Sequence, residues 1–340
     1  MEHGMTRRMF VGSVPLLPFA AQATITGQLQ VARAPITSQA PPGTPAFPII
    51  DTHIHIYDKT RPEGAPYPRD VPGGGEPPHG MIALPNRYKA IVTPFGVVGA
   101  IIVEASPRVE DNYWLLDVSA SHPIIVGLVG RIDPAESSFP SHLEKLTKNR
   151  LFIGIRQGQL HLGLDKPDYV ANLRRLADAD CSLDVDVPRQ GMTATEVLVR
   201  VVDRVPSLRL VIDHLPDVRF PDEAAKATYV RHLRELGKRP NVSIKLSEVV
   251  RRYEGRVSTD LHNYRAWLDE LWDIFGEDRI MFGSDWPQSE TLEFNSYPNV
   301  FNVARAYVAT KTPAAMEKVF WRNSRKAYRW VQREPRQRQT

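Results

Sequence analysis

The sequence predicts an α/β protein folded as a distorted (β/α)8 TIM barrel. Short apolar segments of β character alternate with segments of helical period, the pattern of parallel strands covered by helices. The first of these strands carries two histidines, and the sixth and eighth end in a histidine and an aspartate, each just before a turn, where such barrels place their active-site groups. The composition of the 340 residues, 42% hydrophobic and 24% charged, suits one large core and is too polar for a membrane protein.

The expected strands are Ile49–Ile56, Gly99–Ala105, Ile124–Ile132, Phe152–Arg156, Ser182–Val187, Leu208–His214, Val242–Leu246 and Ile280–Ser284. Between them, Asp111 is placed to cap a helix carrying Trp114, Leu115 and Val118, and Asp168 precedes one carrying Val170, Leu173 and Leu176. Asn263–Phe275 sets Trp267, Leu268, Leu271, Trp272 and Phe275 on one stripe, and Thr312-Pro313 offers a cap and a first-turn proline to the last helix. Residues 57–88, rich in proline, glycine and charge, follow the first strand without a period and are expected to form a lid or pocket wall.

The ends of the chain read differently. Thr6-Arg7-Arg8-Met9-Phe10-Val11, a short apolar stretch and Ala21-Gln22-Ala23 resemble a twin-arginine export signal over residues 1–23, which implies a periplasmic protein; without that signal the chain would stay cytoplasmic. Residues 24–48 read as a linker or arm, 49–331 as the barrel and 332–340 as a basic tail. The net charge of +4 owes much to Arg322, Arg325, Lys326, Arg329, Arg333, Arg336 and Arg338, read as a solvated terminal helix and frayed tail, with no groove-reading or stacking element beside them to suggest nucleic acid. No apolar run after the leader is long enough to span a membrane, and a homo-oligomer is compatible with the sequence. The lone Cys181 excludes an intramolecular disulfide and reads as a buried, inert thiol.

The chemistry concentrates at three strand ends. His53 and His55, two apart on the first strand, share a face and are spaced to converge on one ion. A His-x-His by itself is a weak signal, because ten histidines produce one by chance often enough. Taken singly, His214 could be a rim histidine and Asp285 a turn cap. In a closed eight-stranded barrel, however, the last strand lies beside the first, which brings Asp285 to His53 and His55. Asp51 and Asp213 precede ligand positions and are expected to point to the opposite face.

Asp51-Thr52-His53-Ile54-His55, Val211-Ile212-Asp213-His214-Leu215-Pro216 and Phe282-Gly283-Ser284-Asp285-Trp286-Pro287 resemble the first-, sixth- and eighth-strand motifs of the amidohydrolase superfamily. Val103-Glu104-Ala105-Ser106, Glu110-Asp111-Asn112, Val126-Gly127-Leu128-Val129-Gly130, Gly154-Ile155-Arg156 and Ile244-Lys245-Leu246-Ser247 are similar to its lactonase branch, which includes fuconolactonase and the pyrone-dicarboxylate lactonases. The resemblance runs from Ile49 to Val331. It implies a hydrolase acting on a small cyclic ester, a sugar-acid or carboxy-lactone, with one divalent metal, zinc, held by His53, His55, His214 and Asp285. Asp285 and His214 are the implied catalytic groups. Neither the fourth nor the fifth strand offers the lysine or glutamate that bridges two metals in the binuclear branches. Arg131 and Gln157 stand where tryptophan and histidine are frequent in relatives, which bears on the substrate.

Arg156, Glu104 and Lys245 are candidate substrate-binding residues, with a structural ion pair as the alternative for each. Trp286 either packs against the rim or lines the pocket. Two other functions use the same residues: a metal-dependent decarboxylase of a small aromatic acid, and a non-enzymatic sugar-binding protein. For the leader, replacing Arg7 and Arg8 together by lysine is expected to retain the chain in the cytoplasm on cell fractionation; equal periplasmic recovery would remove the export reading.

Overall fold

The computed structural model describes residues 47–67, 80–158, 163–187, 193–215, 222–250, 252–253, 256–291 and 296–338. The expected leader and most of the expected linker lie outside these residues, as does the middle of the segment after the first strand. Eight parallel strands form a nearly closed barrel: β1 (Ile49–Ile54), β2 (Val97–Val103), β3 (Ile125–Gly130), β4 (Phe152–Gln157), β5 (Ser182–Asp186), β6 (Arg209–Asp213), β7 (Val242–Leu246) and β8 (Ile280–Phe282). Each matches one of the segments expected from the sequence. Helices α1 (Pro85–Val92), α2 (Glu110–Ala120), α3 (Phe139–Leu146), α4 (Pro167–Asp178), α5 (Ala194–Arg204), α6 (Glu223–Gly237) and α7 (His262–Phe275) return the chain between consecutive strands. After β8 come α8 (Tyr297–Ala309), then α9 (Pro313–Glu317), which runs through a π-helical turn at Lys318–Arg322 into α10 (Asn323–Tyr328).

Alternation along the strands separates two apolar layers. Ala100, Ile102, Leu128, Leu183, Val185, Leu210, Ile212 and Phe282 pack outward on helix residues such as Leu115, Leu173, Leu198, Leu233, Leu271 and Phe301. Ile50, Ile101, Val103, Val126, Val129, Ile153, Val211 and Met281 fill the inside, where Trp321, Ala327, Tyr328 and Trp330 join them. Cys181 is buried, and burial pushes its thiol up to about 12, in keeping with an inert group.

The stripe on α7 and the Thr312 cap, whose hydroxyl accepts from the Ala315 N–H at 3.0 Å, are as expected. The Asp111 cap is not formed: α2 begins one residue earlier at Glu110, and Asp111 instead takes an ion pair from Arg61 of the segment after β1. That segment is partly ordered, Tyr57–Asp58 pairing antiparallel with Ile82–Ala83.

The C-terminal residues up to Arg338 are not a frayed tail. The Arg333 guanidinium donates to the carbonyls of Ser119 and Ala120 at the end of α2 and to those of His122 and Ile125. The Ser119 and His122 carbonyls already accept from the His122 and Ile125 N–H groups, so the guanidinium adds a second partner there, and a cation suits the negative end of the helix dipole. Gln337, fully buried, donates to Val98 and Pro123, and the Val331 N–H bonds the Val126 carbonyl, so this segment closes the amino-terminal end of the barrel. Arg333→Ala is expected to lower stability by about 1–3 kcal/mol, read as a shifted urea midpoint; an unchanged midpoint would mean that the docked segment contributes nothing to the fold.

Candidate active site and metal centre

The barrel closes where the chemistry is. The Asp285 N–H bonds the His53 carbonyl at 2.9 Å and the His55 N–H bonds the Trp286 carbonyl at 2.7 Å, so the start of the β8–α8 loop runs alongside the end of β1. A side chain at 283 would prevent this, since a Cβ on Gly283 would lie 2.9 Å from the His53 Cβ.

His53 and His55 face inward. Asp51 faces outward, where it accepts from the Tyr88 hydroxyl at 2.9 Å and the Ser284 N–H at 2.8 Å, because the β1 register shifts between Asp51 and Ile54. At the end of β6, alternation alone would turn the functional residue away. Val211 points inward, so Asp213 does too, and the following His214 is brought in by a left-handed backbone, φ 59°. Asp285 is also left-handed, φ 56°, as is Glu248 beyond β7, φ 53°. Non-glycine residues in this region are uncommon and concentrate at functional sites.

The expectation that Asp213 points away is therefore corrected. Its carboxylate lies 3.4 Å from His53 Nδ1, 2.8 Å from Lys245 Nζ and 2.9 Å from Arg156 Nε. Burial disfavours its charge, yet Lys245, His53 and Arg156 outweigh burial and hold the carboxyl well below the usual range. His53, Lys245 and Asp213 have no exposed surface.

His53, His214 and Asp285 each offer an atom within 4.8 Å of the other two, the one group among the described residues with spacing fit for a metal ion. His55 Nε2 stands 3.1 Å from Asp285 Oδ1, so all four residues expected from the sequence meet at one place. The proton positions test whether an ion belongs there. His55 Nδ1 lies 2.9 Å from the Val103 carbonyl, which only accepts, so Nδ1 carries a proton, and in the neutral ring an unprotonated Nε2 would face a carboxylate oxygen. Two acceptors at that distance require a proton or a cation between or beside them. His53 Nε2 is buried with no hydrogen bond, 3.6 Å from the same oxygen. Burial, reinforced by the Lys245 charge, holds the His53 imidazole well below its usual value, so it is neutral, the form that ligates. Imidazole nitrogens with one carboxylate form a donor set suited to zinc and similar divalent ions.

The remaining candidates divide. Arg156 is buried and donates to Asp186 at 3.0 Å as well as to Asp213, with Nη2 3.5 Å from His214 Nε2 at the edge of the site. Glu104 lies at the end of β2, 3.6 Å from Arg131; burial raises its carboxyl, against the charges of Arg156 and Arg131. Lys245 forms the buried ion pair of the two readings left open for it, held by Asp213 and by Asp184 at 2.9 Å. Trp286 is fully buried under Arg87, packed rather than lining an opening.

Sequence reasoning missed Asp184, Asp186 and Ser247, whose hydroxyl is 2.9 Å from His214 Nδ1. The signal was present: Asp184 and Asp186 alternate with Leu183 and Val185 on β5, and counting faces would have put both carboxylates inside with Lys245 and Arg156. Tyr67, from the segment after β1, packs its ring 5.5 Å from that of His55 and donates to Gln288 at 3.3 Å, so this segment does wall the site.

The amidohydrolase family model matches residues 50–330. The chain belongs to the amidohydrolase family. L-fucono-1,5-lactonase of Burkholderia ambifaria is 27% identical over 249 residues, 71% of this chain and 80% of that protein. L-fucono-1,5-lactonase of Burkholderia multivorans is 25% identical over 287 residues, 80% of this chain and 92% of that protein. Among solved structures, an amidohydrolase from Burkholderia multivorans with bound zinc superposes with a TM-score of 0.70 at 23% identity, covering 83% of this chain and 99% of the other. This amidohydrolase is an enzyme with the family's barrel, and its histidine–aspartate cluster lies at the carboxyl-terminal mouth. Alanine at His53 or His214 is expected to weaken zinc binding by more than the about 10- to 100-fold that loss of an outer-shell partner costs, measured by competition with a chromophoric chelator; affinity unchanged in both would remove the metal centre.

Proposed function

We propose that this amidohydrolase is a lactonase that opens a sugar-acid or carboxy-lactone with the help of one divalent metal, zinc, and that it works in the periplasm. The observation that carries the reading is the meeting of His53, His55 and His214 on the Asp285 carboxylate, with His55 Nε2 3.1 Å from that carboxylate. Resemblance to the two L-fucono-1,5-lactonases supports the cyclic-ester substrate, and the zinc in the Burkholderia multivorans structure supports the metal. The periplasmic site rests on the leader alone.

In this reading His53, His55, His214 and Asp285 hold the ion, which when bound supplies Lewis acidity at the mouth of the barrel. Asp285 takes a proton from water as the water oxygen adds to the lactone carbonyl carbon. In a site without the ion, His214 would instead donate to the carbonyl oxygen and stabilise the charge it gains. The ring C–O bond then breaks, and the proton held by Asp285 passes to the departing ring oxygen, leaving the hydroxy acid. An alkoxide leaves more readily than an amine, so a carboxyl suffices as the acid. Arg156 and Glu104 are the groups nearest to contact substrate: Arg156 stays charged between its carboxylates, and Glu104 is fit to accept from substrate hydroxyls.

The test is a panel of aldono- and carboxy-lactones followed with a pH indicator, on metal-stripped and zinc-loaded protein. Asp285→Asn is expected to lower kcat by about 10²- to 10⁴-fold. Carbon dioxide released from a small aromatic acid without ring opening would replace the lactonase reading by a decarboxylase. Tight sugar binding with turnover indifferent to Asp285→Asn would replace it by a non-enzymatic binding protein.

A further inference from the structure

Beneath the mouth lies a layer of charge that the hydrolytic chemistry does not use. Lys245, without exposed surface, places its ammonium 2.8 Å from Asp213 Oδ1, 2.9 Å from Asp184 Oδ2 and 3.3 Å from His53 Nδ1. Asp184 is held in turn from two sides. Ser182 donates to Oδ1 at 3.1 Å, and the Tyr328 hydroxyl donates to Oδ2. Tyr328 belongs to α10, beneath the barrel, and its ring centroid is 5.3 Å from the Lys245 ammonium. A polar chain therefore runs from the C-terminal segment, through the apolar floor formed with Ile50, Val211 and Met281, up to the imidazole of His53.

A buried lysine is costly unless its donors are all met, and one missing partner leaves a carboxylate uncompensated. Such a layer has one low-energy arrangement, which fixes whatever it touches. It touches His53 on Nδ1, the ring atom opposite the one that faces Asp285 and His214. Nδ1 lies between the Asp213 carboxylate at 3.4 Å, which can only accept from it, and the Lys245 ammonium at 3.3 Å, which can only donate to it, so the placing of this pair sets which His53 nitrogen carries the proton and how Nε2 is presented. Asp213 is kept in place by Lys245, Lys245 by Asp184, and Asp184 by the Tyr328 hydroxyl.

We propose that Lys245, Asp184 and Tyr328 are positioning residues for the metal centre, so that docking of the C-terminal segment sets how tightly His53 and its partners hold a divalent ion. The inference rests on the metal reading above. It assigns Lys245 to orientation of a ligand rather than to substrate, and gives the last helix a part in a site at the opposite end of the barrel.

Zinc affinity decides it, read by chelator competition on the full chain, beside the urea midpoint of the zinc-free protein. Tyr328→Phe removes one hydroxyl and keeps the ring; it is expected to weaken zinc by about 3- to 10-fold, whereas Trp330→Phe, which disturbs the same floor without touching the chain of polar groups, leaves affinity at the wild-type value. Ser182→Ala, which takes the other donor from Asp184, is expected to weaken zinc in the same direction and serves if Tyr328→Phe does not fold. Tyr328→Phe and Ser182→Ala with wild-type affinity, or Trp330→Phe weakened as much as Tyr328→Phe, would overturn the proposal and leave a merely structural floor. Wild-type protein that takes up no zinc would instead overturn the metal reading on which it stands. In pH profiles of zinc binding, the Tyr328→Phe curve is expected to lie below wild type from pH 6 to 8 at about the same midpoint, since its loss is one of geometry.

Discussion

Two backbone hydrogen bonds hold the site together: Asp285 N–H to the His53 carbonyl and His55 N–H to the Trp286 carbonyl. β8 is short and pairs along its length with β7, so backbone pairing between the first and last strands among the described residues is confined to these bonds and the bridge at Ile54 and Trp286, with side-chain bonds from the Thr52 hydroxyl to the Phe282 carbonyl and from the Ser284 N–H to Asp51 beside them. The seam lies at the mouth, and it is what makes a carboxylate from residue 285 a neighbour of imidazoles from 53 and 55. Gly283 is the local condition for it, because the strands approach there more closely than a methyl group allows.

Around the seam the backbone departs from regular geometry in a consistent way. His214, Glu248 and Asp285, at or just past the ends of β6, β7 and β8, are left-handed. A strand delivers every second residue to one face, so two adjacent residues reach a common centre only if the chain turns sharply between them. That turn lets Asp213 and His214 both face inward, one toward the buried lysine and the other toward the mouth. Such backbone costs of order 1–3 kcal/mol per residue. Two features compensate for it: the closely packed aromatic cluster of Tyr88, Phe95, Trp286, Tyr297 and Phe301 behind β1 and β8, and the buried ion pairs of Lys245 with Asp184 and Asp213 beneath.

Much of this was legible in the sequence. All eight strands follow from apolar segments, the approach of Asp285 to His53 and His55 follows from barrel closure, and His214 joins them from its place at the carboxyl end of a strand. What escaped was of another kind. Asp213 follows Val211 inward by alternation, but β6 is apolar on both faces and does not announce its phase, and the left-handed turn that brings in His214 as well is not encoded by hydrophobic periodicity. The Asp111 cap was displaced by a distant arginine, Arg61, whose attraction no local pattern announces. The arginine-rich end looked like a solvated surface because Arg333 and Gln337 find their partners, the ends of α2, β2 and β3, more than two hundred residues away. Charge in a sequence shows its sign and not its destination.

The docked C-terminal segment also bears on how the chain reaches its native state. Trp321, Tyr328, Trp330 and Gln337 complete the floor, and β8 completes the wall, so the barrel interior lacks its last strand and its base until residues 280–337 have been made. Contacts of such sequence separation form late, after the loop-closure entropy of nearly the whole domain has been met. Loss of the final few dozen residues would leave an open sheet with an exposed apolar interior, the state most prone to aggregate. The segment that follows β8 thus acts as a check on completeness: only a polypeptide that reaches Gln337 seals the barrel core.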